Sequence, residues 1–381
     1  MASASLARRF ISTTLLLCIG LFRAALLGIF IGAQVLFKGR RVLQPKERSE
    51  EPECLRDPEL GSHEFVTLER TDLWLRLSRK VIPQHWLLMS LRPAPLPSLS
   101  ILRMEKIQVR AVAKDVTLHY VSAGSRDKPL VLLLHGFPDF WFSWKYQILD
   151  LKKDFWVVVP DLRGYGQSSK PASVDDYQVS KLVEDVHGLV KSLGRQKVTV
   201  IGHDWGAPIA WSFATKHEDM VKKLIIINGP HPVAMQRQLH NSLEQIFKSW
   251  YIVAFQLPCV AEAFLSVNDM QALDELHAVY SDEEREAFKY TFGKPGALTG
   301  PINYYRASFQ RLSSGGFKFR RLAVPVLIVW GRRDTALTEG VAVLNLDYAT
   351  GGRVEYMSDA GHWVQRERPG YWTAKPSLAA R

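Results

Sequence analysis

The chain has 381 residues, which is enough for one large α/β domain with an inserted segment or for two domains. With 47% hydrophobic and 11% aromatic residues it is ordinary for a globular protein, and its net charge is +11. The basic residues form no block beyond short pairs and no zinc or RNA-binding motif is present, which argues against a nucleic-acid partner; three cysteines at unrelated spacings give no disulfide framework and no metal site.

A short tail at residues 1–9 precedes a long apolar run at residues 10–37, interrupted by Arg23. About 20 apolar residues span a bilayer, so the run predicts an uncleaved membrane anchor helix, with a cleaved signal peptide as the alternative. More basic residues follow the run than precede it, which favours a cytosolic location for the rest of the chain. We therefore expect a single-pass protein of the endoplasmic reticulum membrane.

Residues 38–62 are polar and contain prolines, which predicts a linker. The first part of the folded core is predicted at 63–230 and its second part at 322–381. Residues 70–114 have no helical or alternating period, which predicts an atypical insertion, either a mobile surface segment or a segment foreign to the native protein. The C-terminus, residues 366–381, is also atypical because its prolines and Gly370 break any helical period.

Apolar, β-branched runs alternate with helical segments along the core, which predicts a mostly parallel sheet covered on both faces. The later strand runs lie at residues 130–134, 155–161, 198–201, 224–228, 324–331 and 354–357. Between residues 231 and 321 the strands stop, and the chain becomes aromatic and helix-like. This block predicts a helical cap inserted after the sixth strand, with helices at 249–257 and 282–292, and a core helix is predicted at 177–193.

The run at 198–201 leads into Asp204, which has Gly202 and Gly206 two positions away on either side. This spacing is typical of the sharp strand-to-helix turn that exposes a nucleophile. A carboxylate is ionised at neutral pH and can displace a leaving group at a saturated carbon, which leaves an alkyl-enzyme ester. The alternative is an Asp that caps an ordinary helix.

Water must then open that ester, which requires a base and an acid on later loops, in the order nucleophile, acid, His. Asp334 and His362 each follow a predicted strand in that order, and Asp359 is a competing acid that lies too close to His362 in sequence. The backbone N–H groups of Trp205 and Phe137 are the expected oxyanion hole, which stabilises charge on the ester carbonyl.

Four motifs together resemble the epoxide hydrolases of the α/β-hydrolase fold: HGFP at 135–138, DLRGYG at 161–166, GHDWG at 202–206 and GHW at 361–363. The membrane-anchored epoxide hydrolases three and four are most similar, through the anchor, CLRDP at 54–58 and PGALTGPINYYR at 295–306. The resemblance covers about residues 54–69 and 115–365. It implies a mostly parallel eight-stranded sheet with an inserted helical cap, and a small-molecule epoxide substrate opened to a vicinal diol without metal or organic cofactor.

The resemblance further implies that two cap tyrosines, Tyr251 and Tyr305, hold the epoxide oxygen and help to protonate it. Tyr304 is the alternative to Tyr305, and packing in an aromatic cap is the alternative role for either. The family also has a continuous hairpin where 70–114 stands and a long amphipathic helix after residue 365, so both atypical segments depart from it.

Two other functions remain open at this point. A haloalkane dehalogenase would use the same Asp nucleophile, although Phe137 supplies no side-chain donor for a halide. An inactive, membrane-tethered scaffold with this fold is the other alternative. The apolar cap and the anchor indicate fatty-acid epoxides as candidate substrates.

Overall fold

The computed structural model of the protein describes residues 2–68, 116–310 and 319–373. An eight-stranded sheet lies at its centre, in the order β1-β2-β4-β3-β5-β6-β7-β8. The strands are β1 Ser62–Leu68, β2 Val116–Ala123, β3 Leu130–Leu134, β4 Trp156–Pro160, β5 Val198–His203, β6 Val221–Ile227, β7 Val326–Gly331 and β8 Arg353–Met357. Strand β2 pairs in the antiparallel sense with both β1 and β4, and the other neighbouring strands of this sheet are parallel. The predicted α/β-hydrolase architecture is therefore confirmed.

The central strands are buried along their whole length: every residue of β3, β4, β5 and β7 is buried. Such strands read as continuous apolar runs because helices cover both faces of the sheet. The core helices are α2 Lys145–Leu151, α3 Val179–Ser192 and α4 Gly206–Lys216, with α11 Glu339–Asn345 between β7 and β8. Helix α3 begins two residues later than the sequence predicts.

In the described part of the segment predicted as the cap, six helices follow β6. They are α5 Pro232–Asn241, α6 Leu243–Lys248, α7 Trp250–Ala254, α8 Val260–Leu276, α9 Asp282–Phe292 and α10 Thr299–Gln310. Helix α7 is shorter than predicted, whereas α9 has the predicted bounds and begins with a capping box formed by Ser281 and Glu284. The backbone of α8 is broken at 267–270, where Asn268 and Asp269 have positive φ.

The N-terminal helix α1 runs over Ala2–Lys38 and so includes most of the predicted tail. Within the described ranges, one helix is long and apolar enough to cross a membrane, over Ile11–Lys38. In this structure α1 lies against the cap helices α5, α6, α7 and α8. The chain that follows it, predicted as a linker, packs on the cap through short 3-10 turns at Arg40–Leu43 and Glu53–Leu55.

Of the two segments predicted as atypical, the structure describes only part of the second. Residues 70–114 lie outside the described part of the chain. After β8 the chain forms two short helices, α12 Val364–Glu367 and α13 Gly370–Thr373, and the last eight residues lie outside the described part. Gln365 is fully buried, and its backbone carbonyl accepts a hydrogen bond from Gln147 Nε2 at 2.8 Å. The short helix α12 is thus part of the packed core.

Candidate active site

Asp204 lies at the turn between β5 and α4 and has a φ of 47°, a left-handed conformation that is rare for a residue with a side chain. The turn is possible because Gly206 carries no Cβ, which would otherwise overlap the Leu134 carbonyl. Gly136 likewise leaves room for the Asp204 side chain itself. The strained turn therefore holds the carboxylate at the carboxyl end of the parallel strands, as a nucleophile at this position requires.

The two oxygens of Asp204 have different neighbours. Oδ1 accepts a hydrogen bond from the Phe137 backbone N–H at 2.7 Å, and Oδ2 lies 3.6 Å from His362 Nε2. The Phe137 N–H thus reaches the carboxylate oxygen on which an ester intermediate would gather charge. Trp205 is the residue that leads from the turn into α4, and its ring lies edge-on to Tyr305 at a centroid distance of 5.1 Å.

His362 and Asp334 lie side by side on the loops after β8 and β7. Asp334 Oδ2 is 2.8 Å from His362 Nδ1, and both groups are buried. Asp334 Oδ1 accepts hydrogen bonds from the N–H groups of Ala336 and Leu337, at 2.7 and 2.9 Å. Because several donors stabilise the ionised carboxyl, its pKa is lowered although burial alone would raise it.

Asn228, at the end of β6, is a site residue that the sequence analysis did not single out. Its Nδ2 donates to Asp334 Oδ2 at 2.6 Å, and its Oδ1 accepts from the Gly331 N–H at 2.7 Å. The residue is fully buried and has a φ of 34°. In the sequence, this residue could have been recognised as a polar side chain at the end of an otherwise apolar strand run.

Burial on its own would lower the pKa of His362, but the two flanking carboxylates more than offset it. The charge of Asp334, its hydrogen bond to the ring and the Asp204 carboxylate 3.6 Å away raise the pKa of His362 well above its ordinary value. The resting site therefore holds an imidazolium between two carboxylates. Loss of either negative charge would lower that pKa and release the proton.

The loop that carries His362 is held on both sides. His203 Nε2 donates to the His362 carbonyl at 2.9 Å. Glu367, from α12, accepts from the N–H groups of Gly361 and Trp363 at 2.6 and 3.1 Å. The atypical C-terminal segment thus contributes a carboxylate that fixes the backbone around the histidine.

The cap places two phenols above Asp204. The rings of Tyr251, on α7, and Tyr305, on α10, are in edge contact at a centroid distance of 5.7 Å. The Tyr305 ring is also in edge contact with Phe137 and Trp205, at centroid distances of 5.2 and 5.1 Å. Burial and then the Asp204 charge raise the pKa of both phenols, which favours their protonated form. By contrast, the hydroxyl of Tyr304 donates to the Arg163 carbonyl at 2.6 Å. The structure thus separates Tyr305 from its neighbour Tyr304.

A second buried polar cluster, also not anticipated, adjoins the first. Asp139 follows the HGFP segment directly, and its Oδ2 accepts a hydrogen bond from Trp363 Nε1 at 3.2 Å. His203 Nδ1 lies 3.8 Å from the same carboxyl group and His277 Nε2 lies 3.9 Å from it. Burial raises the pKa of Asp139 to about 7, and burial lowers the pKa of each histidine to about 3. The cluster adjoins the His362 loop, because His203 bonds the His362 carbonyl and Trp363 follows His362 directly.

The competing acid Asp359 lies elsewhere. It is exposed and pairs with Arg368. Across residues 2–68, 116–310 and 319–373, no group of three His, Cys, Asp or Glu side chains could hold a metal ion. The structure thus brings together the Asp204 carboxylate, the buried His362–Asp334 pair and two cap phenols, on a sheet whose connectivity is that of an α/β hydrolase.

Comparison with known proteins supports the assignment to the α/β hydrolases and identifies a family within that class. The family model described as "alpha/beta hydrolase fold" matches residues 129–369. Mouse epoxide hydrolase 3 is 34% identical over 362 residues, which cover 91% of this chain and 88% of that protein. Human epoxide hydrolase 4 is 35% identical over 84% of this chain and 80% of that protein.

Among solved structures, an epoxide hydrolase of Bacillus megaterium bound to an inhibitor superposes with a TM-score of 0.64 at 31% identity. The superposition covers 70% of this chain and 97% of that one. The protein therefore belongs to the α/β hydrolases, and within them to the epoxide hydrolases. The resemblance stated from its motifs is confirmed.

Proposed function

We propose that this enzyme opens epoxides to vicinal diols through an alkyl ester on Asp204. The observation that carries the proposal is the placement of the Asp204 carboxylate beside the buried His362–Asp334 pair, with two cap phenols in ring contact with each other and with Trp205. Membership of the epoxide hydrolases supports the reaction class, and the site residues supply a role for each step.

In the first step, a carboxylate oxygen of Asp204 attacks one ring carbon, and the carbon–oxygen bond of the strained ring breaks. The released oxygen takes a proton from Tyr251 or Tyr305. A phenol donates well to a developing alkoxide without being ionised beforehand. Because both phenols are neutral at rest, both can hydrogen-bond the epoxide oxygen when it binds.

Esterification changes the electrostatics of the site. The Asp204 charge disappears, and this charge is one cause of the raised pKa values of Tyr251, Tyr305 and His362. All three pKa values therefore fall when the ester forms. The same event makes a tyrosine a better acid and lets His362 lose its proton and become a base.

In the second step, neutral His362 removes a proton from water, and the hydroxide attacks the ester carbonyl carbon of Asp204. The Phe137 N–H and, as proposed from the turn geometry, the Trp205 N–H stabilise the oxyanion. The acyl carbon–oxygen bond then breaks, and His362 protonates the leaving alkoxide to give the diol. The proton that His362 gave up when the ester formed restores the tyrosine. The second proton of the water passes from the regenerated Asp204 carboxyl to His362, which restores the resting imidazolium.

We also propose that α1 attaches the enzyme to the endoplasmic reticulum membrane, with the catalytic core on the cytosolic side, and that lipid epoxides such as those of fatty acids are substrates. The apolar surface of α1 and the basic residues after it support this location. Length alone supports the predicted single-pass arrangement, whereas the contacts of α1 with the cap support an arrangement along the membrane surface.

The test is a single turnover in water enriched in ¹⁸O, with a fatty-acid epoxide and excess enzyme. Attack on the ester carbonyl puts the label into the Asp204 carboxylate and leaves the first-turnover diol unlabelled. Label in the first-turnover diol would contradict the covalent route, because water would then have attacked the ring directly. Asp204→Asn is the control without a nucleophile. A chlorinated alkane assayed in parallel tests the dehalogenase alternative, which predicts halide release.

A further inference from the structure

Helix α1 has two different faces. The buried residues Ser12, Gly20 and Ala24 recur every four or eight positions, so small side chains face the cap along one stripe. The large apolar side chains of Ile11, Leu21, Phe22, Leu26, Ile29, Phe30, Leu36 and Phe37 are exposed. A helix that docks on protein through small residues and turns its large apolar residues outward is suited to lipid on its outer side.

The inner face comes into close contact with α7 at Gly20. A Cβ added there would overlap the Cβ of Val253 and lie 2.8 Å from both of its γ-carbons. Gly28 and Gly32 of the same helix have open space where a Cβ would stand. The absence of a side chain is therefore required at Gly20 and at neither of the other two.

Contacts farther along the chain fix α1 to the cap. The Arg23 guanidinium lies over the Trp250 ring, 5.2 Å from its centroid, so the one charge inside the apolar run faces protein. At the end of α1, Lys38 donates to Asn268 at 3.2 Å. Beyond it, Arg48 pairs with Asp269 in α8 at 2.9 Å.

We infer that α1 is the outer layer of the cap and that Gly20, through Val253, positions Tyr251 for ring opening. The inference rests on the proposed role of Tyr251. Val253 follows Tyr251 by two residues in α7, a helix of five residues, so a displacement of Val253 moves the phenol. A misplacement of about 1 Å can cost about 100-fold in rate. Gly20 is a positioning residue in this scheme.

The outward face of α1 is then the surface that meets the membrane. Leu243 and Phe247 of α6 are 63% and 49% exposed and extend this apolar surface onto the cap. Helix α1 also lies against the polar helix α5. Docked in this way, α1 cannot cross the bilayer without bringing α5 into hydrocarbon, so it lies along one membrane surface.

The matched pair Gly20→Ala and Gly28→Ala, in full-length enzyme bound to phosphatidylcholine vesicles, tests this inference. Both changes add one methyl group to the same helix and raise its helix propensity equally. Single-turnover kinetics measure ester formation and ester hydrolysis separately. We expect Gly20→Ala to slow ester formation about tenfold or more without changing ester hydrolysis, and Gly28→Ala to change neither.

The exchange variant Gly20→Ala/Val253→Gly provides the rescue, because it removes the carbon atoms that would overlap. It should recover ester formation to the rate of Val253→Gly alone. Equal rates for Gly20→Ala and Gly28→Ala, a parallel fall in both steps, or no rescue would overturn the inference. If Tyr251→Phe leaves ester formation unchanged, Tyr251 has no part in the proposed ring opening. If Tyr251→Phe slows it while Gly20→Ala does not, only the role of α1 is wrong.

Membrane topology gives an independent readout. An epitope tag at the N-terminus should be cleaved by a protease added from the side that holds the catalytic domain, because a docked α1 keeps both its ends on that side. A tag protected on the opposite side of sealed vesicles would overturn the docked arrangement.

Discussion

His362 Nε2 lies 3.6 Å from Asp204 Oδ2, while Nδ1 of the same ring lies 2.8 Å from Asp334 Oδ2. The imidazole is thus oriented by one carboxylate and aimed at the other. The distance to Asp204 exceeds that of a good hydrogen bond. The carboxylate is therefore free to attack, and the ring nitrogen is placed to activate a water molecule once the ester has formed.

Replacement of His362 by Gln should separate the two steps. Ester formation uses Asp204 and the phenols, so it should continue, whereas hydrolysis should slow by about 10³-fold without a general base. Intact-mass spectrometry after mixing with excess epoxide should show one substrate mass added per enzyme. Diol release at the wild-type rate would show that another group acts as the base.

Replacement of Asp204 by Asn should lower the pKa of His362. The nearby negative charge of Asp204 raises that pKa, so its removal leaves Asp334 alone to offset the effect of burial. The imidazole resonances in an NMR titration should therefore shift at lower pH than in the wild type. Asn suits the positive φ at this position, so the turn should persist. An unchanged titration would contradict the two-carboxylate account of the resting site.

The raised pKa of His362 also gives a stability prediction with a definite sign. A group whose pKa is raised on folding stabilises the protein fully below its unfolded value of about 6.5, and this contribution is lost as pH rises through the folded value. Between pH 7 and 10, His362→Gln should therefore lose less stability than the wild type. Chemical denaturation at several pH values measures the difference. Parallel curves for the two proteins would contradict the prediction.

The two cap tyrosines should be distinguishable from their neighbour. Tyr251→Phe and Tyr305→Phe should each slow ester formation by about 100-fold, because each removes one donor to the developing alkoxide. Tyr304→Phe is the matched control: its hydroxyl bonds the Arg163 carbonyl, so its loss should cost about 1–2 kcal/mol of stability and leave ester formation nearly unchanged. The opposite pattern, with Tyr304 controlling the rate, would exchange the roles of Tyr304 and Tyr305.

The sequence predicted the elements that local pattern determines. The strand runs, the turn at Asp204 and the order Asp204, Asp334, His362 follow from apolar periodicity and from fixed spacing along the chain. Asn228 and Asp139 were missed because each acts through partners more than 100 residues away, and a lone polar residue carries no period. The packing of α1 on the cap could not be predicted either, because an apolar run long enough for a membrane looks the same whether it crosses the bilayer or lies along a protein surface.

Asp139 gives the last prediction. Burial raises its pKa to about 7. As pH rises, the unfolded chain therefore loses the Asp139 proton near the ordinary pKa of an Asp, whereas the folded protein keeps it to higher pH. The protein should therefore lose up to about 4 kcal/mol of stability from this group as pH rises from 4 to 7. Asp139→Asn stays neutral at every pH, so it should remove this dependence and match or exceed wild-type stability at pH 8. Thermal unfolding of both proteins between pH 4 and 8 measures this dependence, with the exposed Asp359→Asn as control. If the wild type is at least as stable as Asp139→Asn at pH 7, the prediction is wrong. Asp139 would then be ionised in the folded protein and stabilised by the nearby Arg366 and the Trp363 N–H.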